Sequence, residues 1–512
     1  MKGEISLSYY IGVDIGTSGT KTVLFSSLGE SIASSTIEYP LYQPQNGWAE
    51  QDPNDWWTAT YSSINEVIKK SGISNDDIKG IGLSGQMHGL VMLDGEGKVL
   101  RPSIIWCDQR TAKECEEITS KVGKERLIEI TANPALTGFT ASKILWVKNN
   151  EPHNYEKCRK ILLPKDYIRF MLSGEFATEV SDASGMQLID INTRNWSDEV
   201  LSKLEIDKVL LSKVYESYEI SSTVNSQSSK LTGLKVGTPI AGGAGDQAAG
   251  AVGNGIVREG IVSSTIGTSG VVFAHTNKPI IDTGGRIHTF CHAVPNAWHI
   301  MGVTQAAGLS LKWFRDNFCL QEIETAKQMQ IDPYILMDKE VETVPVGANS
   351  LIYLPYLMGE RTPHLDPNAR GVFFGLSAIH TKKDMLRAVM EGVTYSLKDC
   401  MEIIKETGIK VDEVRASGGG GKSELWRQMQ ADMFNCDVCT INSSEGGALG
   451  VAILSMVGTK GYNSVEEACA TIIKRNKTLE PISQNVAKYQ NGYELYAKLY
   501  PALKESFSLL AK

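Results

Sequence analysis

The sequence lacks both an excess of basic residues and a long apolar run. Its 51 Lys and Arg residues are outnumbered by 59 Asp and Glu residues, which gives a formal net charge of −8. Nucleic-acid-binding surfaces are usually basic, so this balance argues against a nucleic-acid partner. The apolar stretch at 446–458, GGALGVAILSMVG, is too short and too rich in glycine to span a bilayer. The first ten residues show no signal-peptide pattern, so we expect a cytoplasmic protein without a membrane partner.

Cysteine is also scarce, with nine residues that are odd in number and scattered along the chain. This distribution is typical of a reducing compartment and not of a disulfide framework. The lone CDVC at 436–439 lies in a strand-like run, which favours packing over metal binding or redox chemistry. The stretch HTFCHAVPNAWH at 288–299 is rich in histidine, but it predicts a hairpin that turns at Pro295–Asn296, and we prefer this interpretation to a zinc site.

One pentapeptide, IGTSG, occurs at 15–19 and again at 266–270, a separation of 266 − 15 = 251 residues. Both copies join two strand-like segments. A chain of 512 residues exceeds the roughly 250–300 residues at which single cores stop growing. The repeat therefore predicts two α/β domains, residues 1–253 and 254–512, that meet at a compact joint.

Helical periodicity and capping residues place several further elements. Asp52 and Pro53 predict the start of a helix that Gly72 ends, and IKGIGLSG at 78–85 predicts a buried strand. Apolar spacing predicts further helices at 304–317 and 381–407. SELWRQMQADMF predicts another helix, and the last 50 residues have a helical pattern.

The repeated hairpin suggests a function, because backbone amides and small hydroxyl residues can donate to phosphate oxygens. Two domains with one such hairpin each would form a cleft with a phosphate-binding loop on either wall. The plain alternative is that IGTSG is only a favourable turn. A third glycine loop, SGGGGKSELW, resembles a P-loop but has Ala416 where the first glycine belongs. Taken alone, this loop could be a flexible turn. In a chain with two phosphate-binding hairpins, it is better interpreted as a loop that binds adenosine.

Two carboxylates are candidates for the chemistry. Asp14 precedes the first IGTSG, whereas Thr265 precedes the second. An acid beside a phosphate loop could hold Mg²⁺ through its waters, or it could simply be satisfied by turn amides. Asp246, in PIAGGAGDQAAGA, lies at a strand-to-helix junction, where open α/β folds bind ligands. Its plain alternative is a helix N-cap.

Taken together, these motifs resemble the FGGY family of carbohydrate kinases, within the sugar kinase/actin/heat-shock-chaperone superfamily. The resemblance spans about residues 9–460 and includes GFTASKILWVKNN at 138–150 and GVFFGLSAIHTKKDMLRAVME at 371–391. It implies two actin-like, ribonuclease H-like lobes with a central cleft. Five shorter stretches resemble the members that phosphorylate D-xylulose to D-xylulose 5-phosphate: GWAEQDP, GLSGQMHG, IIWCDQR, LLPKDYIR and LPYLMGERTPH.

The resemblance also implies roles for individual residues. Met87 and His88 would contact the sugar, and Asp246 would accept the proton of the reacting hydroxyl. Gln247, beside Asp246, would also bind the sugar, and Asp14 would be the acid on the Mg²⁺ side. The residues implied to bind ATP are Thr17, Ser18, Lys21, Gly267, Thr268, Gly308, Gly419, Gly420 and Ser423.

Other functions stay open at this point. Many D-xylulose-phosphorylating members have Asn where this chain has Gln247, so another ketose, a polyol or a sugar acid remains a candidate substrate. An actin-like or chaperone-like ATPase that binds a polypeptide is the alternative from a different class. ATP hydrolysis, however, needs neither QMHG nor the three glycines before Asp246, which we call the glycine bed: Gly242, Gly243 and Gly245. A homodimer is one assembly that the sequence leaves open.

Overall fold

The computed structural model of the protein describes residues 8–510. From residue 8 onward, the first half of the chain contains fifteen strands: β1 Tyr9–Ile15, β2 Gly19–Ser26, β3 Ser31–Glu38, β4 Glu50–Gln51, β5 Ile78–Gly85, β6 Val91–Leu93, β7 Ser103–Ile104, β8 Lys160–Leu162, β9 Ala177–Glu179, β10 Ile189–Asp190, β11 Asn195–Trp196, β12 Lys213–Tyr215, β13 Ile220–Thr223, β14 Pro239–Ala241 and β15 Ala244–Gly245. Its helices are α1 Pro53–Ser71, α2 Ala112–Val122, α3 Lys124–Thr131, α4 Thr140–Asn150, α5 Pro152–Lys157, α6 Pro164–Ser173, α7 Val180–Ser184, α8 Asp198–Leu204, α9 Ser226–Thr232 and α10 Asp246–Gly253.

The second half, as far as residue 510, contains nine strands: β16 Gly260–Ile266, β17 Gly270–Thr276, β18 His288–Cys291, β19 Trp298–Thr304, β20 Ile352–Leu354, β21 Val372–Phe374, β22 Val411–Gly418, β23 Asp437–Ile441 and β24 Arg475–Leu479. Its helices are α11 Gly308–Phe318, α12 Leu320–Met329, α13 Pro333–Glu342, α14 Lys382–Glu406, α15 Glu424–Phe434, α16 Gly446–Gly458, α17 Val465–Ile472 and α18 Ser483–Leu510. Among the described residues, no helix combines the length and the apolar composition that a bilayer crossing requires.

Two large sheets with matching topology dominate the fold. In the first, the order β3-β2-β1-β5-β14-β13 has β1 antiparallel to β2 and parallel to β5. In the second, the order β19-β17-β16-β22-β23-β24 has β16 antiparallel to β17 and parallel to β22, and β18 extends the β19 edge. The two IGTSG hairpins therefore occupy equivalent positions in two α/β lobes, as the repeat predicted.

The residues at its two ends explain where helix α1 begins and ends. The carboxylate of Asp52 accepts the N–H of Asn54 at 2.9 Å, Pro53 occupies the first turn of α1, and Gly72 ends the helix with a φ of 66°. The predicted strand IKGIGLSG and the predicted helix after the third glycine loop are also present, as β5 and α15.

Two sequence-based expectations need correction. The helix predicted at 304–317 begins only at Gly308, because Thr304 still pairs with Gly270 in the sheet. The last 50 residues are not wholly helical: strand β24 separates α17 from α18 and pairs with β23. In both places sheet pairing determines the structure against a local helical pattern.

Helix α16, from the second half of the chain, packs on the first sheet. A methyl group at Gly12 of β1 would overlap the carbonyl oxygen of Ala448, and one at Gly82 of β5 would overlap that of Val451. Alternate residues of β1 therefore enter different cores: Ile11 packs in the cluster around α1, whereas Tyr10 packs in the cluster around α16. The division of the chain at 253–254 stays a prediction.

Candidate active site

The first hairpin places a carboxylate at the carboxyl end of the parallel strand pair β1–β5. Asp14 lies opposite Ser84, whose hydroxyl donates to Asp14 Oδ1 at 2.8 Å. At the equivalent place in the second sheet, Thr265 lies opposite Ser417, and their hydroxyl oxygens are 2.7 Å apart. Both sites have a serine on the neighbouring strand, but only the first has an acid.

Asp246 lies close enough to Asp14 for the two charges to interact. It is the first residue of α10, and Gly245 occupies the cap position, so the alternative of Asp246 as N-cap is wrong. Burial, and then the charge of Asp14, raise the pKa of Asp246 to about 7, against a smaller opposing effect of Gln247 hydrogen bonds. Burial also raises the pKa of Asp14, although the Ser84 hydrogen bond and Lys21 oppose it. A carboxylate with a pKa near 7 is suited to accept a proton at neutral pH.

The first IGTSG hairpin is held by side chains of its own lobe. Trp106 Nε1 donates to Thr17 Oγ1 at 2.9 Å, and Gln51 Nε2 donates to the Thr17 carbonyl at 2.7 Å. Ser18, at the tip, is exposed. Lys21 Nζ lies 2.5 Å from Glu445 in a partly exposed ion pair, so a contact between Lys21 and phosphate requires this pair to open.

The second hairpin borders a cavity of about 620 Å³. Helix α11 begins against it: the N–H of Gly308 donates to the Gly267 carbonyl at 2.8 Å, and the N–H of Leu309 donates to that of Thr268 at 3.1 Å. Six of the predicted nucleotide residues line this cavity together, namely Gly267, Thr268, Gly308, Gly419, Gly420 and Ser423. Thr17, Ser18 and Lys21 are not among its lining residues and lie in the other lobe.

Sequence reasoning missed three polar residues that also line the cavity. Lys312 of α11 and Tyr334 and Asp338 of α13 line it. Burial raises the pKa of Asp338, and a hydrogen bond with Ser423 opposes this effect. The pair Asp332–Pro333 predicts the start of α13, and Asp332 does accept the N–H of Tyr334 at 3.0 Å, but no motif in the helix indicated a ligand.

Met87 and His88 follow β5 and lie in the first lobe beside the glycine bed of Asp246. Met87 is buried, and a methyl group at Gly245 would lie 2.8 Å from its Cγ. His88 has a φ of 69°, and its Nδ1 lies 2.8 Å from the carbonyl of Gly185. Because a carbonyl only accepts, Nδ1 carries the proton and Nε2 remains an acceptor. Burial, and then the charge of Lys143, lower the pKa of His88 to about 3, so the ring is neutral.

Lys143 is a second residue that sequence reasoning missed. It is fully buried in α4, and its Nζ donates to the carbonyl of His88 at 2.9 Å and to that of Gly138 at 2.8 Å. Thr140 Oγ1 donates to the same His88 carbonyl at 3.1 Å. Burial lowers the pKa of Lys143 to about 7. The stretch GFTASK, which contains Thr140 and Lys143, resembles the family, but the resemblance assigned no role to either residue.

Arg361, from the second lobe, approaches the same place. Its charge contributes to the lowered pKa of His88 and of the buried His288. Its backbone N–H donates to Glu360 Oε1 at 2.7 Å, and the next residue, Thr362, is bonded to Val303 at the end of the second sheet. Within residues 8–510, no carboxylate forms an ion pair with the Arg361 guanidinium.

The histidine and cysteine stretches behave as structural elements. The predicted hairpin at 288–299 is confirmed by the antiparallel pairing of β18 with β19. All nine cysteines are free, and Cys436 and Cys439 are buried. In the described part of the chain, no group of three or more His, Cys, Asp and Glu side chains is arranged to hold a metal ion.

Comparison with known proteins identifies the fold and the family. The model of the N-terminal domain of the FGGY family of carbohydrate kinases matches residues 9–253, and that of the C-terminal domain matches residues 262–459. A protein named xylulose kinase from Bacillus subtilis (strain 168) is 39% identical over 499 residues, which cover 98% of both chains.

Solved structures agree with this result. The crystal structure of xylulose kinase from Rhodospirillum rubrum has a TM-score of 0.90 and 27% identity, and that of gluconate kinase from Lactobacillus acidophilus has a TM-score of 0.91 and 28% identity. Each comparison covers 98% of this chain and 100% of the other. The chain has two lobes of matching topology and an acid pair, Asp14 and Asp246, in the first of them. Because the family matches cover both halves, this chain belongs to the FGGY family of carbohydrate kinases.

Proposed function

We propose that the protein is a cytoplasmic kinase that transfers the γ-phosphoryl group of ATP to D-xylulose and forms D-xylulose 5-phosphate. The observation that carries the proposal is the half-buried carboxylate of Asp246, which lies near Asp14 and has a pKa of about 7. The choice of sugar is supported by the similarity to the Bacillus subtilis protein named xylulose kinase over nearly the full length of both chains.

ATP would bind between the lobes. The cavity beside the second hairpin would accept adenosine against Gly419 and Gly420, and the phosphates would extend toward the first hairpin. Thr17, Ser18 and Thr268 would offer hydroxyls and amides to the phosphate oxygens, and Lys21 would exchange Glu445 for phosphate. Residues 1–253 would thus provide the sugar site and residues 254–512 the adenosine site.

In the proposed reaction, the primary hydroxyl oxygen of the sugar forms a bond to the γ-phosphorus while the bond from that phosphorus to the β,γ-bridging oxygen breaks. Asp246 accepts the hydroxyl proton, and ADP leaves. Such transfers depend on alignment and charge neutralisation more than on covalent chemistry. Met87, His88 and Gln247 would align the sugar, and closure of the lobes would exclude water as a competing acceptor.

The environment of Asp14 fits a hydrated Mg²⁺. Its carboxylate is half-buried and has a raised pKa, and the Ser84 hydroxyl beside it is a second hard oxygen. When bound, Mg²⁺ would neutralise charge on the phosphate oxygens.

A sugar acid is the second candidate substrate. The crystal structure titled gluconate kinase matches this fold with a TM-score of 0.91. Arg361 supplies a positive charge close to His88, and within residues 8–510 it has no carboxylate partner. The carboxylate of a sugar acid could become that partner.

A coupled ADP-release assay with Mg²⁺ tests the proposal. The panel consists of D-xylulose, other pentuloses and hexuloses, glycerol and gluconate, with a no-sugar control for ATP hydrolysis. We expect D-xylulose to have the highest kcat/KM. A higher value for gluconate supports the sugar-acid candidate, and ATP hydrolysis that no sugar accelerates contradicts the kinase assignment.

A further inference from the structure

A fully buried ionic cluster lies behind the predicted sugar site. Lys165 Nζ is 2.8 Å from Asp166 Oδ1, 3.2 Å from Asp182 Oδ2 and 3.5 Å from Glu179 Oε1. Arg169 Nη1 also bonds Asp166 Oδ1, at 2.8 Å. All five side chains are at most 1% exposed. Buried ion pairs are costly to desolvate and are weak evidence for stability, so the position of this cluster requires another reason.

Glu179 organises the start of helix α7. Its carboxylate accepts the backbone N–H groups of Ser181 and Asp182 at 2.7 and 2.8 Å and the hydroxyls of Ser181 and Ser217 at 2.9 and 2.6 Å. With four donors on two oxygens, this carboxylate fixes the orientation of the Ser181 hydroxyl.

The Ser181 hydroxyl in turn reaches the backbone that carries Asp246. Its Oγ accepts the N–H of Gly245 at 3.1 Å, one residue before Asp246. Arg169, from the same ionic cluster, donates to the carbonyl of Gly242 in the same glycine bed. The cluster therefore holds the segment 242–245 at both ends: Arg169 bonds Gly242 directly, and Glu179 acts on Gly245 through Ser181.

The other end of α7 touches the sugar-side residues. Gly185, directly after α7, accepts from His88 Nδ1 at 2.8 Å. A methyl group at Gly185 would lie 2.7 Å from His88 Cε1 and 2.9 Å from Met87 Cε. One segment of seven residues, 179–185, therefore contacts the backbone before Asp246 at one end and His88 at the other.

We infer that the segment 179–185 sets the distance between Asp246 and His88, and that Ser181 is a positioning residue for the base while Gly185 positions the sugar-contacting pair. This inference rests on the proposed function of Asp246 and His88. A displacement of about 1 Å at a reacting centre can cost about 10²-fold in rate, so small shifts at the two ends have different measurable effects.

The test compares Ser181→Ala with Gly185→Ala in steady-state kinetics with D-xylulose and ATP. Ser181→Ala should lower kcat by about 10- to 100-fold and change the KM for D-xylulose by less than threefold. Gly185→Ala should raise the KM for D-xylulose by about tenfold or more, because the added methyl displaces His88 and Met87. The KM for ATP should stay within twofold of the wild type in both variants.

Ser217→Ala is the matched control, because it removes an equally buried hydroxyl from the same Glu179 carboxylate and leaves the Ser181–Gly245 bond in place. Its kcat should change by less than threefold, even if its thermal midpoint falls as far as that of Ser181→Ala. Should Ser181→Ala not fold, Ser181→Cys keeps the shape, weakens the acceptor and should lower kcat in the same sense.

The outcomes separate this inference from the proposed function. If the wild type phosphorylates D-xylulose but the Ser181 and Ser217 variants have equal kcat values, the positioning role is wrong and the proposed function stands. If Gly185→Ala leaves the KM for D-xylulose unchanged, the second half of the inference is wrong. A wild type that phosphorylates no sugar of the panel overturns both the inference and the proposed function.

Discussion

The two IGTSG hairpins have the same sequence and the same position in their sheets, but their surroundings differ. Side chains of Trp106 and Gln51 hold the first copy, whereas the backbone at the start of helix α11 holds the second. Asp14 precedes the first copy and Thr265 the second, each beside a serine of the neighbouring parallel strand. The repeated hairpin thus supports the proposal that both lobes contact phosphate, and the residue before it determines which lobe contributes an acid.

The two hairpins also differ in the candidate residues and the cavity that lie beside them. Asp246, Met87 and His88 all lie on the side of the first copy, while the cavity of about 620 Å³ lies beside the second. We expect substitutions in the first lobe to affect proton transfer and sugar binding, and substitutions in the second to affect ATP binding. Five predictions test this division, from the largest expected effect to the smallest.

Asp246→Ala should have the largest effect. A general base typically contributes about 10²–10⁴ in rate, so kcat should fall by that factor. ATP affinity, measured by equilibrium titration, should stay within twofold, because Asp246 does not line the cavity beside the second hairpin. A kcat within about tenfold of the wild type would show that Asp246 is not the base.

The two residues that precede the hairpins form a matched pair. Asp14→Asn should lower kcat by about 10²-fold, since loss of an interaction that neutralises phosphate charge costs several kcal/mol. Thr265→Val removes only a hydroxyl–hydroxyl contact, worth about 1 kcal/mol of stability, and should change kcat by less than fivefold. Equal losses in the two variants would contradict the special role of the acid.

His88→Ala should act on the sugar alone. Loss of a hydrogen bond to a buried polar ligand group costs about 1–3 kcal/mol, so the KM for D-xylulose should rise by about one to two decades. The KM for ATP should change by less than twofold. If both KM values rise together, His88 is a structural residue of the core and not a sugar contact.

Gly308→Ala should weaken ATP binding from the second lobe. The added methyl would overlap the carbonyl oxygen of Gly267 and displace the hairpin, so we expect an increase of about tenfold in the KM for ATP. At Gly16 of the first hairpin the same methyl would lie 3.3 Å from the Gly19 carbonyl oxygen, so Gly16→Ala should be milder. An unchanged KM for ATP in Gly308→Ala would remove the second hairpin from the nucleotide site.

The pH dependence provides the smallest effect near neutral pH, because a base with a pKa of about 7 is still half ionised at pH 7. Because burial, and then Asp14, raise the pKa of Asp246 to about 7, the ionised base is lost as the pH falls below 7. The value of kcat/KM for D-xylulose should then decrease about tenfold per pH unit. In Asp14→Asn this acid limb should move to lower pH, since the neighbouring negative charge is gone. A profile that stays flat between pH 7 and pH 5 would contradict this assignment.

Sequence and structure agree best where a pattern is local or repeated. The IGTSG repeat, the cap of α1 and the glycine bed before Asp246 were all recognisable from their residues, and their positions in the sheets follow from them. The roles of Met87 and His88 stay predictions that rest on the family resemblance, because periodicity alone indicates no role for them.

The parts that sequence reasoning missed depend on long-range packing. Lys143 and Lys165 are fully buried, although lysine in a sequence normally indicates an exposed position. Lys143 bonds the carbonyl of His88 from another element, and Lys165 contacts Glu179 of β9 and Asp182 of α7 in addition to its neighbour Asp166. The stretches GFTASK and LLPKDYIR contained both lysines, but no local pattern distinguishes a buried lysine from a solvated one.

Helices α10 and α16 touch through their backbones where they pack together. A methyl group at Gly450 would overlap the carbonyl oxygen of Ala249, and one at Gly253 would overlap that of Gly446. No side chain separates the two helices here, so contacts between backbone atoms determine their spacing. Asp246 begins α10, and Gly447 in the first turn of α16 lies against Asp14. The separation of the two acids therefore depends on this backbone contact, and a larger residue at Gly450 or Gly253 would change it.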